Sequence, residues 1–202
     1  MGGQIVDATV AARQRMVEGT GAADRPGRPL DAQARQTATA VGRRAATGGT
    51  EIAVPVFGYK NHIGIDRTHG FIRHFVVTHA ARHDGSQLAA VLDPANTASD
   101  VWADTAYRSK VNLELIDKRS LVAQFQRAKP RGRPMPPYIA RGNATRARVR
   151  SRVEHVFAAE KRRMGLVVRT IGLARATAKI TLANLAYNLS RLSWIEGRHA
   201  PV

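Results

Sequence analysis

The sequence predicts an α/β fold in which a mixed β-sheet is flanked by helices and followed by a pair of C-terminal helices. Segments with the two-residue alternation of strands are interspersed with segments that repeat apolar residues at helical spacing. The 202 residues are enough for one sizeable domain, and 44% of them are hydrophobic, which is ordinary for a globular chain. We therefore expect the many charged residues to lie on a folded core.

The first predicted strand covers residues 4–10 and carries an acid. Ile5, Asp7 and Thr9 share one face of this run, because successive side chains of a strand point to opposite sides. Residues 12–51 are dominated by Ala, Arg, Gly, Thr and Pro, and we expect them to form an irregular connector. The domain boundaries that follow are a first core strand at 1–11, the rest of the core at 52–196 and a tail at 197–202.

After the connector, the pattern predicts a hairpin followed by alternating helices and strands. Apolar runs at residues 52–65 and 71–78 flank a turn that ends in Gly70, which is typical of a β-hairpin. Ser86 is a suitable N-cap for a helix that runs to about Leu92. The later elements predicted in the same way are a strand at 100–104, a helix at 108–118 and a strand at 121–125.

Two long helices are predicted to close the chain, at residues 144–164 and 172–195. A connector at 129–137, rich in proline and basic residues, precedes them, and its prolines argue against regular structure. The second helix carries a stripe of leucines at three- and four-residue spacing: Leu182, Leu185, Leu189 and Leu192. The simplest interpretation of this stripe is a core face. A dimer seam is the alternative, which makes a homodimer a candidate assembly.

The charge of the chain indicates a polyanionic partner. Lys and Arg total 32 against 15 Asp and Glu, a formal net charge of +17, and 26 of the basic residues are arginine. Nine basic residues and no acid lie between residues 127 and 152, where Arg131, Arg133 and Arg146 are candidates for DNA contact. Lys60 is a further candidate, although ordinary polarity of an exposed strand explains it equally well.

Other classes of protein are excluded by what the sequence lacks. Without cysteine, the chain has no disulfide scaffold, no thiolate zinc site and no cysteine nucleophile. No apolar run approaches the roughly 18 residues of a membrane span, and the first residues lack a secretory signal pattern, so we expect a cytoplasmic protein. The glycine-rich loop that ends in Gly-Lys-Ser/Thr is absent, and no nucleotide cofactor is expected.

Three acids stand out by their positions: Asp7 within the first strand, Asp104 at the end of a later strand, and Glu154 inside a helix among arginines. Phosphodiester chemistry with two Mg²⁺ ions about 4 Å apart needs such hard carboxylate ligands. Arg150 and Lys161 share the helix face of Glu154, since they lie four residues before it and seven after it. The alternative is that the two aspartates end strands at turns and that Glu154 belongs to a surface ion-pair ladder.

Several motifs, in the same order along the chain, resemble the bacterial insertion-sequence transposases of the DDE type, in the group named for insertion sequence five. The resemblance covers residues 1–12 and 52–195. The matching segments are Asp7 to Thr9, Phe57 to Ile63 with Asp66, Trp102 to Ser109, Arg152 to Phe157 with Lys161, Arg169 to Arg175, and Leu182 to Asn188.

The resemblance implies an RNase H-like core and a metal-dependent activity on DNA. In the family, two aspartates and one glutamate bind two Mg²⁺ ions, for which Mn²⁺ can substitute, and they correspond to Asp7, Asp104 and Glu154. Family members nick double-stranded DNA at terminal inverted repeats by water attack and then join the freed 3′-hydroxyl to target DNA. The family's basic residues that contact DNA beside the glutamate correspond to Arg150 and Lys161. A protein associated with the bacterial nucleoid is implied.

The sequence also departs from the family. Ala147 stands where the family often has tyrosine, and the connector at 12–51 does not match. The chain starts six residues before Asp7, where family proteins usually carry a further N-terminal domain. Two other functions stay open as a result: a degenerate, non-catalytic basic protein that binds DNA through charge, and an RNase H-like nuclease that cuts without strand transfer.

Overall fold

The computed structural model of the protein describes residues 2–12, 58–96, 98–169 and 171–199. Within these residues the sheet has five strands in the order β3-β2-β1-β4-β5. The strands are β1 (Gln4–Ala12), β2 (Gly58–Asp66), β3 (Ile72–His79), β4 (Asp100–Ala103) and β5 (Val122–Phe125). The first three are antiparallel neighbours, whereas β4 pairs in parallel with both β1 and β5. The predicted mixed sheet is therefore confirmed, with β1 at its centre.

Helices pack on both faces of this sheet. On one face lie α1 (Leu88–Val91) and α2 (Lys110–Lys118), and on the other lie α3 (Pro137–Arg162) and α4 (Leu173–His199). A short 3-10 turn precedes each of the first two helices, at Asp84–Gln87 and at Thr105–Tyr107. The C-terminal helix pair is confirmed, and the whole is an α/β arrangement of the RNase H-like kind.

The strand β1 separates two apolar cores, because its side chains alternate between the two faces of the sheet. Val6 packs with Phe125 and with buried residues of α1 and α2. Ile5 packs on the opposite face, with Trp102 and the buried side of α3. Asp7 shares the face of Ile5, so it points towards the side of the sheet that α3 covers.

The hairpin between β2 and β3 follows the prediction closely. Asp66 ends β2, and its carboxylate accepts a hydrogen bond from the His69 backbone N–H at 2.6 Å. Gly70 closes the turn with a φ of 77°, a conformation that glycine adopts without the strain of a side chain. The turn residues therefore explain why the chain reverses here.

The predicted helix cap at Ser86 is wrong. Ser86 lies inside the 3-10 turn Asp84–Gln87, and the cap is His83, whose Nδ1 accepts a hydrogen bond from the Gly85 backbone N–H at 3.1 Å. The hydroxyl of Ser86 donates instead to the carbonyl oxygen of His83. The helix that follows is the short α1, which begins only at Leu88.

The other differences concern the C-terminal helices. α3 begins at Pro137, earlier than the predicted residue 144, because a proline in the first helical turn lacks only an N–H that has no partner there. The leucine stripe of α4 is not a core face, which corrects the simplest interpretation of it. Its exposed fractions are 66% for Leu182, 52% for Leu185, 58% for Leu189 and 42% for Leu192.

Some expectations fall outside the described residues. These are the structure of residues 13–51 in the predicted connector, the strand run at 52–57 and the final part of the tail at 200–202. Among the helices that are described, none combines the length and the apolar character needed to cross a membrane.

Candidate active site

Asp7 lies in the central strand and is almost buried, with 9% of its surface exposed. One carboxylate oxygen accepts a hydrogen bond from the Ala8 backbone N–H at 2.9 Å, and the other contacts the guanidinium of Arg150. Burial raises the pKa of Asp7 to about 7, although the charge of Arg150 acts to lower it. The ionised carboxylate is thus costly at this position unless a cation lies beside it.

Asp104 is brought beside Asp7 by the pairing of two parallel strands. The register sets Ile5 opposite Trp102, and continuing it by two residues sets Asp104 level with Asp7. The carboxylate of Asp104 accepts hydrogen bonds from the backbone N–H and the hydroxyl of Thr105, and so caps the 3-10 turn after β4. Its negative charge is one of the contributions that raise the pKa of Asp7, after the larger effect of burial.

The third predicted acid lies on α3, together with the two cations that the helical spacing assigned to its face. Nη1 of Arg150, which contacts Asp7, is 3.7 Å from Oε1 of Glu154. The Lys161 ammonium donates a hydrogen bond to the Thr9 hydroxyl at 2.8 Å. This face of α3 therefore lies along the second half of β1, and the guanidinium of Arg150 joins two of the three predicted acids.

A buried polar cluster fixes α3 in this position. The Glu160 side chain is fully buried, and both of its oxygens lie 3.4 Å from the Asn61 amide nitrogen on β2. The same Asn61 nitrogen donates to the Asn184 carbonyl oxygen on α4 at 2.9 Å. Burial raises the pKa of Glu160 to about 7, against the opposing effects of Asn61 and Lys161. The cluster ties β2, α3 and α4 together.

The arginines predicted to contact DNA lie in two places, the segment before α3 and α3 itself. Arg131 and Arg133 are exposed in the segment before α3. On α3 itself, Nε of Arg146 and Nε of Arg150 are buried nitrogens without an acceptor in the described chain. Such unsatisfied buried donors are rare in folded proteins.

Lys60 is not placed for the predicted DNA contact. Its side chain is buried, lies 3.1 Å from the Asp84 carboxylate and donates a hydrogen bond to the Arg82 carbonyl at 2.9 Å. The neighbouring His62 is also buried, and burial lowers its pKa to about 4. The physical reason is that this face of β2 packs against the 3-10 turn before α1, so its polar side chains meet protein groups instead of solvent.

Thr9, Glu160 and Asn61 were not predicted as parts of the site. Thr9 could have been found, because the strand alternation places it on the face of Asp7. Glu160 and Asn61 carry no such signal, since a polar residue in an element is ordinarily exposed. Their importance arises from burial, which only the packing of α3 on β2 produces.

The three predicted acids do not form a metal-binding cluster in the described part of the chain. No group of three or more His, Asp or Glu side chains in the described ranges is close enough to hold an ion. The chemistry of the three side chains nevertheless fits a hard divalent cation, because all three supply carboxylate oxygens. The carboxylate of Asp7 also pairs with a positive charge here, that of Arg150. Arg150 takes the position of that cation between Asp7 and Glu154.

The comparisons with known proteins identify the family of the chain. A family model described as the transposase DDE domain matches residues 22–189. No solved structure matches the chain. The family match begins after Asp7, so the assignment of the first aspartate depends on the sheet register and on the contact with Arg150. Transposases of the DDE type act on DNA and generally use divalent metal ions. Since the match spans well over half of its length, the chain belongs to the transposase DDE domain family.

Proposed function

We propose that the protein is the catalytic domain of an insertion-sequence transposase, of the group named for insertion sequence five. Its reaction is the nicking of DNA at terminal inverted repeats, followed by transfer of the freed 3′-hydroxyl to target DNA. The observation that carries the proposal is the contact of Arg150 with both Asp7 and Glu154. Asp104 follows directly after β4, the parallel neighbour of the strand that carries Asp7.

Asp7, Asp104 and Glu154 are the proposed ligands of two Mg²⁺ ions, with Mn²⁺ as a substitute. When bound, the metal supplies positive charge that stabilises the attacking and leaving oxygens of the phosphodiester. The contribution of the chain is to hold three carboxylates on a rigid sheet and helix. For a metal to reach Asp7 and Glu154, the guanidinium of Arg150 has to leave the space between them.

Arg150 and Lys161 are the proposed phosphate-binding residues next to the acids. Once displaced from Asp7, the guanidinium of Arg150 can pair in a bidentate manner with a phosphate. Arg146 lies one turn before Arg150 on α3. Arg131 and Arg133, in the exposed segment before α3, extend the same positive surface.

The test is a cleavage assay on a labelled duplex that ends in the inverted repeat of the element. In the presence of Mg²⁺ or Mn²⁺, the protein should nick the duplex at the repeat and join it to a target duplex. Asp7→Asn, Asp104→Asn and Glu154→Gln should each abolish both steps while DNA binding persists. Glu114→Gln is the matched control, since this carboxylate is 65% exposed on α2.

Two other functions give different outcomes in the same assay. A nuclease of the same architecture would nick the duplex and never join it. A degenerate DNA-binding protein would retard the duplex at low salt but would leave it uncut with either metal. Either result would overturn the proposed strand transfer.

A further inference from the structure

The helix α4 is apolar on two opposite faces. Its inner face packs on β2 and β3 through Ala176, Ile180 and Ala183, which are all buried. At 100° per residue, the leucine stripe of residues 182–192 falls on the far side of the helix. One helix with two apolar faces requires two partners, and the fold of the described chain supplies only the first.

The outer face is too apolar for an ordinary solvent-exposed helix. Leu182, Leu185, Leu189 and Leu192 are each exposed by 42% to 66%. They are contiguous along three turns, with alanines at other exposed positions of the same helix. Contiguous exposed patches of this kind mark interaction surfaces, whereas single exposed leucines do not.

The spacing of the stripe is the same in both directions along the helix. The steps from Leu182 to Leu185, to Leu189 and to Leu192 are three, four and three residues. If a second copy of the helix runs antiparallel about a two-fold axis near residue 187, Leu182 meets Leu192 and Leu185 meets Leu189. Every leucine is then paired with a leucine, as a self-complementary interface requires.

The charges of α4 favour this antiparallel arrangement. Glu196 is the only acid in the α4 sequence, and it continues the stripe one turn after Leu192. Arg175 lies near the opposite end of the helix, close to the same face and exposed. Antiparallel packing brings Glu196 of each copy near Arg175 of the other. Parallel packing would instead bring the two Glu196 side chains near each other and the two Arg175 side chains near each other.

We propose that two copies of this chain form a homodimer through antiparallel packing of their α4 helices. The inference goes beyond the proposed transposase activity and does not depend on it. None of the proposed catalytic or phosphate-binding residues lies on α4, so the dimer is measured independently of DNA cleavage.

The first experiment is sedimentation equilibrium of the full chain over a range of micromolar concentrations. We expect a monomer–dimer equilibrium that the double substitution Leu185→Glu/Leu189→Glu weakens at least tenfold in Kd. The substituted positions are exposed, and circular dichroism checks that the variant is folded. Val111→Glu is the matched control, because Val111 is 72% exposed on α2 and should leave the equilibrium unchanged. A wild-type protein that stays monomeric would overturn the proposal, and the stripe would then be covered by its own chain or by another protein. A dimer that the double substitution leaves intact would also overturn it.

A second experiment tests the orientation and uses the absence of native cysteine. Leu182→Cys/Leu192→Cys should form a disulfide-linked dimer on oxidation, because these positions face each other across the antiparallel pair. Neither single substitution should form such a dimer. In the antiparallel pair, the same residue of the two helices is separated by about 15 Å along the helix axis, which is beyond the reach of a disulfide. Efficient cross-linking of the single variants would refute the antiparallel arrangement.

Discussion

Replacing the buried carboxylate of Glu160 should change how the stability of the protein depends on pH. Burial raises the pKa of Glu160 from 4.5 to about 7 in the folded state. A group with a raised folded-state pKa stabilises the fold below its unfolded pKa, and that contribution is lost as the pH rises through the folded value. For Glu160 the loss therefore falls between about pH 4.5 and pH 7.

The size of the effect follows from this shift. A difference of one pKa unit corresponds to about 1.4 kcal/mol, so the ionisation of Glu160 reduces the free energy of unfolding by about 1 kcal/mol at pH 5 and about 3 kcal/mol at pH 8. Glu160→Gln keeps the shape and removes the charge. The stability of the variant relative to the wild type should therefore increase by roughly 2 kcal/mol between these two pH values.

The measurement is urea unfolding of both proteins at pH 5, 6, 7 and 8, followed by tryptophan fluorescence. The buried Trp102 reports on the core that α3 covers. Other groups that titrate, including Asp7, are present in both proteins and cancel in the difference. Glu114→Gln serves as the control for the exchange of a carboxylate for an amide, because Glu114 is 65% exposed on α2. A constant difference for Glu160→Gln would refute the reasoning.

Three further predictions concern metal, packing and DNA. Mg²⁺ should raise the Tm of the intact protein but not that of Glu154→Ala, because a ligand that binds only the folded state stabilises it; equal shifts in a thermal scan would contradict the proposed ligand set. Gly64→Ala should destabilise the fold by about 3 kcal/mol in urea unfolding, since the added Cβ would lie 2.1 Å from a backbone oxygen of α1. Gly197→Ala is the control: its Cβ would meet nothing within 4 Å, and the substitution should be neutral or slightly stabilising. Arg131→Ala/Arg133→Ala should lower the slope of log K against log salt by roughly 2 in DNA titrations, and an unchanged slope would show that neither residue contacts phosphate.

The strands and the hairpin were predictable because their signals are local. Alternation of side chains identified β1, and two apolar runs identified β2 and β3. A glycine at the end of the turn identified the reversal between the last two. Helix boundaries were less predictable where more than one residue was suited to the capping position. His83 takes the capping position expected of Ser86, because its ring lies next to the Gly85 N–H in the folded turn.

The candidate site was predictable in its residue types and only partly in its contacts. The sequence singled out Asp7, Asp104 and Glu154, and their assignment as metal ligands stays a prediction. The sheet register that sets the two aspartates level comes from a parallel pairing between strands about a hundred residues apart, which no local pattern reveals. The pairing of Lys60 with Asp84, in place of DNA contact, has the same origin.

What the sequence determined by itself is periodicity, charge and the order of the elements, since these depend on neighbours along the chain. Periodicity shows that a face is apolar without showing what covers it, and α4 has two such faces. The tertiary structure decided which face meets the sheet, which acid is buried and which cation lies beside it. Those outcomes depend on free energies of burial and desolvation, which are defined only when distant segments pack together.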